Sequence, residues 1–92
     1  MKYTEAIGLR LGELLKKANL TQKEFSQKSN ISRVTINRTI NGKAAVITFE
    51  TLIVFCKTLN ITLTDFFASE LFNHDIEFNK KKKGRRVQPQ IL

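Results

Sequence analysis

The chain has one cysteine, one proline, one histidine and no tryptophan in 92 residues. One cysteine excludes an internal disulfide and a CxxC metal or redox centre. His74 has only Asp75 and Glu77 near it. Three scattered groups on an expected loop do not make a metal shell, so a surface histidine is expected. There is no Gly-rich phosphate loop and no Ser/His/Asp arrangement. An enzyme is therefore not expected, and no cofactor, metal or small-molecule ligand is implied. No apolar run approaches the ~18 residues that a spanning helix needs. The start, Met1-Lys2-Tyr3-Thr4-Glu5, lacks the contiguous apolar stretch of a signal peptide. The expectation is a cytoplasmic protein with no membrane partner. Acid is also scarce, with 8 Asp plus Glu against 16 Lys plus Arg, a net charge of +8. That excess calls for an acidic partner, of which nucleic acid and anionic membrane are the common kinds.

What is present reads as helix. Apolar residues make up 41% and charged residues 26%, a globular composition. Residues 1–72 hold ten basic and six acidic residues, and residues 73–92 hold six and two. The charge is thus concentrated in a short basic tail, 73–92, behind a domain at 1–72. Ile7, Leu11, Leu14, Leu15 and Ala18 form one apolar stripe of a first helix, with Thr4 as its expected cap and Glu5 in its first turn. Thr21 with Glu24 is a capping box opening a short second helix anchored by Phe25 and closed by Asn30. Ser32 caps a third helix, 32–41, whose inward residues are Ile36 and Ile40 and which Gly42 ends. Thr48 caps a fourth helix with apolar residues Phe49, Leu52, Ile53, Phe55, Cys56 and Leu59, closed by Asn60. Thr62 with Asp65 opens a fifth through Phe66 and Phe67, extending towards Leu71. Cys56 is expected to act as a small hydrophobe in that core. The fold class is all-α, with five helices.

Two short helices joined by a tight turn, with a polar outer face on the second, make a helix-turn-helix. One α-helix fills the DNA major groove, where every base pair shows a distinct donor and acceptor pattern. The preceding helix crosses the backbone and offers its N-terminal N–H groups to a phosphate.

The stretches Leu20-Thr21-Gln22-Lys23-Glu24-Phe25, Ile31-Ser32-Arg33-Val34-Thr35-Ile36-Asn37-Arg38 and Asn41-Gly42-Lys43 resemble the lambda-repressor/Cro type (XRE-like) of helix-turn-helix DNA-binding proteins. Phe49-Glu50-Thr51-Leu52 and Leu59-Asn60-Ile61-Thr62-Leu63 continue the likeness, which covers roughly residues 6–68. The pieces are specific in combination and weak singly. The resemblance implies a five-helix domain that binds a double-stranded DNA operator as a homodimer. Four positions depart from the usual pattern. Asn30 stands where Gly is common, Ser26 where Ala is common, and Thr39 where an apolar residue is usual. Leu15 and Ile40 occupy positions where many members carry an Arg–Glu pair, and an apolar contact is expected in its place.

Roles follow from chemistry and register. Ser32, Arg33, Val34, Thr35, Asn37 and Arg38 belong to the reading helix. Arg pairs bidentately with guanine, Asn with adenine, and Val34 suits a thymine methyl. Thr35 either contacts phosphate or packs inward. By resemblance, Gln22 bonds a phosphate and braces a reader such as Arg33. Lys23, Asn41 and Lys43 are placed for backbone contacts, which position the protein without reading sequence. Phe67, Leu71, Phe72 and Ile76, with Phe78 behind them, exceed what the fifth helix needs for its own core and are expected at a homodimer contact. The block Lys80-Lys81-Lys82-Lys83-Gly84-Arg85-Arg86 is either an arm along the phosphates or a solubilising tail. The functional expectation is a sequence-specific transcriptional regulator, a repressor or autoregulator, associated with the nucleoid through its DNA. The alternative is an antitoxin or protein-interaction module that holds a partner such as a toxin through its apolar C-terminal part.

Overall fold

Asparagines decide where several of the helices stop. In a computed structural model of the chain, which describes residues 1–73 and Ile76, the order is α1 (Tyr3–Ala18), α2 (Gln22–Ser29), α3 (Arg33–Ile40), α4 (Phe49–Leu59) and α5 (Leu63–Phe67). A 3-10 turn, Glu70–Asn73, follows, and there is no strand among the described residues. Asn19, Asn30 and Asn60 close α1, α2 and α4 with φ of 59°, 65° and 60°. This left-handed conformation is one that Asn adopts more readily than other non-glycine residues. Gly42, φ 73°, turns the chain after α3.

The starts are equally local. Thr21 and Glu24 exchange side-chain bonds with each other's backbone N–H, and Thr62 and Asp65 do the same at α5. Ser32 and Thr48 each accept from the N–H three residues on. The expected cap of α1 is corrected. Lys2 occupies that position, its N–H donates to the Glu5 carboxylate at 2.9 Å, and Thr4 is buried in the first turn of the helix. The buried face of α1 includes Thr4, Ala6 and Gly8 with Ile7, Leu11 and Leu15, whereas Ala18 is exposed. The stripe is rotated because α3 packs against the N-terminal half of α1.

That packing turns on Gly8. A Cβ there would lie 2.0 Å from the backbone oxygen of Thr39, so only glycine permits this crossing. Thr39 itself is 2% exposed, and its hydroxyl donates to the Thr35 carbonyl at 2.8 Å. A threonine therefore fills the usually apolar site without an unmet polar atom. Leu15 is buried and Ile40 packs against the same core, so both expected apolar replacements face inward.

Phe25, Phe55, Phe66, Leu11 and Ile36 form the fully buried centre. Phe49 is 62% exposed, against expectation; Ile47, in the preceding loop, is buried in its place. Ile47 and Leu52 hold the two positions of a hydrophobic staple around the Thr48 cap, which leaves Phe49 outside. Cys56 is buried, and burial pushes its thiol pKa up, as suits an inert apolar filler. Helix α5 ends at Phe67, so Leu71 belongs to the 3-10 turn instead. The Arg10 guanidinium takes the carbonyls of Phe66 at 2.6 Å, Asp65 at 2.7 Å and Ala68 at 3.4 Å. They lie at the C-terminal end of α5, where a cation is favoured; the Asp65 carbonyl also takes the Ala68 N–H at 3.3 Å.

Candidate nucleic-acid interface

The α2–α3 turn is built to be short and fixed. Ser26, near the end of α2, donates its hydroxyl to the Ile31 carbonyl at 2.6 Å. A residue expected only to be small enough for close approach therefore also fastens the turn. Ile31 packs against the core and Ile36 is fully buried. These anchors set the rotation of α3 and leave Ser32, Arg33, Val34, Thr35, Asn37 and Arg38 all exposed. Val34 is 69% exposed.

The exposed set divides by what holds each side chain. Ser32 accepts the Thr35 N–H at 3.2 Å and donates its hydroxyl to Thr35 Oγ1 at 3.0 Å, so both serve the cap. Thr35 does not pack inward. Arg33 and Val34, in the first turn of α3, stand clear, and Arg33 has no hydrogen bond or ion pair among the described residues. Arg38 donates weakly to the Lys43 carbonyl at 3.4 Å, while the Lys43 N–H donates to the Arg38 carbonyl at 2.8 Å. The expected brace is corrected: Gln22 holds Asn37, not Arg33. Asn37 Nδ2 donates to Gln22 Oε1 at 3.2 Å, and Asn41 Nδ2 donates to Asn37 Oδ1 at 3.1 Å. Asn37 comes near α2 because Gln22 is the first residue of that helix and Asn37 lies one turn into α3, on the α2 side. Lys23 is exposed beside Gln22.

The run from Ser32 to Lys43 carries Arg33, Arg38 and Lys43 and no acid. The nearest acid on α2, Glu24, is engaged in its own capping box. The surface therefore offers cations, amides and one branched apolar side chain to a polyanion, with little to repel it.

The expected dimer residues lie elsewhere. Phe67 is 39% exposed and stacks edge-on against Phe72 at 4.8 Å and Phe66 at 5.2 Å. Phe72 packs partly on the core, and Leu71 and Ile76 are half-buried. His74, Asp75, Glu77, Phe78 and the basic run at 80–86 lie outside the described residues. No group of three or more His, Cys, Asp or Glu side chains converges on a metal-sized site among the described residues. No helix there is long and apolar enough to cross a membrane.

Arg10 is the residue whose work the sequence did not disclose. It bonds carbonyls more than fifty residues away and pairs with Glu13 at 3.2 Å. Its one local sign was its place beside the apolar stripe of α1.

A family model described as a Cro/C1-type HTH DNA-binding domain matches residues 10–70. The fold is similar to that of the restriction-modification controller protein C.AhdI from Aeromonas hydrophila. That likeness has a TM-score of 0.65 at 20% identity and covers 70% of this chain and 96% of that one. It is similar also to a single-site mutant of the restriction-modification controller protein C.Esp1396I. There the TM-score is 0.70 at 20% identity, over 79% of this chain and 92% of that one. No curated protein matches the sequence.

Proposed function

The chain belongs to the Cro/C1-type helix-turn-helix DNA-binding domain family, and from that premise we propose that it is a sequence-specific transcriptional regulator. It acts as a repressor or autoregulator and lays α3 in the major groove of a double-stranded operator. The observation that carries this reading is the outer face of α3. Arg33, Val34, Asn37 and Arg38 are all exposed on one short helix whose inward side is anchored by Ile36 and Thr39. The first turn enters the groove, with Arg33 addressed to guanine and Val34 to a thymine methyl, and Arg38 addresses a guanine from the last turn. Ser32 and Thr35 set the start of the helix near the backbone. Gln22, Lys23, Asn41 and Lys43 fix register on the phosphates. Two restriction-modification controllers share the fold at 20% identity, and a controller's task suits a domain of this kind. In this role the protein works in the cytoplasm, on the nucleoid.

A single helix reads only a few base pairs, so the functional unit is a homodimer reading two half-sites about one helical turn apart. Phe67, Leu71, Phe72 and Ile76 supply its contact; the exposed edge of Phe67 supports this. The same apolar set is what a toxin-type protein partner would grip, which is the second reading. Ultracentrifugation at micromolar concentration separates the two, since a monomer throughout removes the homodimer and favours the partner.

The test of the main reading is selection of bound duplexes from a random pool, followed by titration of the winning operator. Arg33→Ala and Arg38→Ala should each weaken operator binding while sparing much of the non-specific binding, and Lys43→Ala should weaken both. Equal operator affinity for the wild type and the Arg33/Arg38 double variant would refute the assignment.

A further inference from the structure

The polar side chains of α3 differ in freedom. Arg33 is unheld and Arg38 touches only one carbonyl, at 3.4 Å. Asn37 is held at both ends of its amide, by Gln22 across the turn and by Asn41 one turn further along α3. The three amides form one directed chain. Asn41 donates to Asn37, and Asn37 donates to Gln22.

A primary amide carries two N–H donors and two acceptor lone pairs. Gln22 takes one donor of Asn37, and Asn41 fills one acceptor position. One donor and one acceptor remain. Adenine offers the complement in the major groove, an acceptor at N7 and a donor at N6, whereas guanine offers two acceptors, N7 and O6. An unheld asparagine turns its amide over freely, exchanging the ends that donate and accept. Asn37 turns over only if Gln22 and Asn41 turn with it, since otherwise its oxygen would face the Gln22 oxygen and its nitrogen the Asn41 nitrogen; a phosphate that accepts from Gln22 Nε2 leaves Oε1 for Asn37 and so fixes the direction of the chain. The Nε2 group of Gln22 has no partner among the described residues. It can bond a phosphate while Oε1 still holds Asn37, which ties the reading amide to the backbone register.

Resting on the major-groove reading above, we propose that Asn37 specifies an adenine in each half-site. Gln22 and Asn41 are positioning residues that fix which end of its amide donates. Asn41 therefore acts through Asn37 as well as near the backbone. Arg33, Val34 and Arg38 set the other positions of the half-site and do not depend on the chain of amides.

The experiment is selection of duplexes by the full chain, wild type against three variants, scored position by position, with thermal melting of each variant alongside. Wild type should prefer adenine over guanine at one half-site position by roughly 5- to 150-fold, the range of a good bidentate pair. Asn37→Ala should flatten that position alone. Asn41→Ala should lower the adenine preference there by at least about threefold, because it frees one end of the same bidentate contact. Asn41→Asp, which cannot donate, should abolish the preference by drawing the Asn37 nitrogen towards itself. All three should melt as the wild type does and keep their preferences elsewhere. A purely structural link between α2 and α3 would instead lower melting and weaken every position together. Survival of the adenine preference in Asn37→Ala overturns the proposal with the regulatory reading intact. Survival in both Asn41 variants overturns the positioning role. A wild type that selects no sequence at all defeats the underlying reading instead.

Discussion

The two sides of α1 hold their neighbours by different means. Towards α3, Gly8 lets backbone meet backbone, with the Thr39 carbonyl where a Cβ would stand. Towards α5, two residues on and around the helix, Arg10 reaches out to three carbonyls. The first contact seats α3 by shape alone and leaves its outer side chains exposed. The second fastens a helix of five residues, which is too short to be stable unaided. Substitutions on the outer face of α3 should therefore alter DNA recognition and little else. Substitutions around α5 should alter stability, and with it the surface that presents Phe67 and Phe72.

The largest test of that contrast is Phe66→Ala. The ring is fully buried, and emptying such a site costs about 3–5 kcal/mol, read as a lowered denaturant midpoint. Next comes Gly8→Ala. The added methyl must push α1 and α3 apart, at a cost of about 1–3 kcal/mol or more for overpacking. This variant should also lose operator affinity, because the seat of α3 moves. Affinity kept at wild-type level would show that α3 is positioned by α2 and the turn instead. Arg10→Met should cost about 1.5–3 kcal/mol, the range for bonds to a charged group, and spare base preference. If it changed the selected operator, the two sides of α1 would not be separate.

The helix order could be read because the signals are local. Thr21 with Glu24, Thr62 with Asp65, and the asparagine stops at Asn30 and Asn60 each concern residues within one turn, and all four stand where expected. What escaped was set by neighbours distant in sequence. Thr4 has the chemistry of a cap, yet it is buried inside the first turn because α1 starts two residues earlier, at Tyr3. Phe49 has the spacing of a core residue, yet Ile47 fills the site first. The tie of Gln22 to Asn37 rather than Arg33 depends on how far along α3 the end of α2 abuts, and register alone does not fix that. Arg10 bonds main-chain oxygens, which carry no residue-specific mark in the sequence.

The smallest predicted effect is the one that separates the two sides by pH. The cap of α3 uses Ser32 and Thr35, neither of which titrates. The cap of α5 uses Asp65, whose pKa is held below the usual carboxylate value by bonds from the Thr62 backbone N–H and hydroxyl, with a lesser contribution from Arg10. A carboxylate whose pKa is depressed on folding stabilises the fold above its unfolded value, about 3.9. That contribution is lost as pH falls through the folded value. Asp65 is fully solvent-exposed, so the loss is slight and confined to the acid range. Amide hydrogen exchange between pH 5 and 3, corrected for intrinsic rates, should show α5 losing protection before α3. Asp65→Asn should remove most of the lag. Equal loss in both helices would mean that acid acts on the domain as a whole, and that the hold on α5 by Arg10 does not depend on the charge of the neighbouring cap.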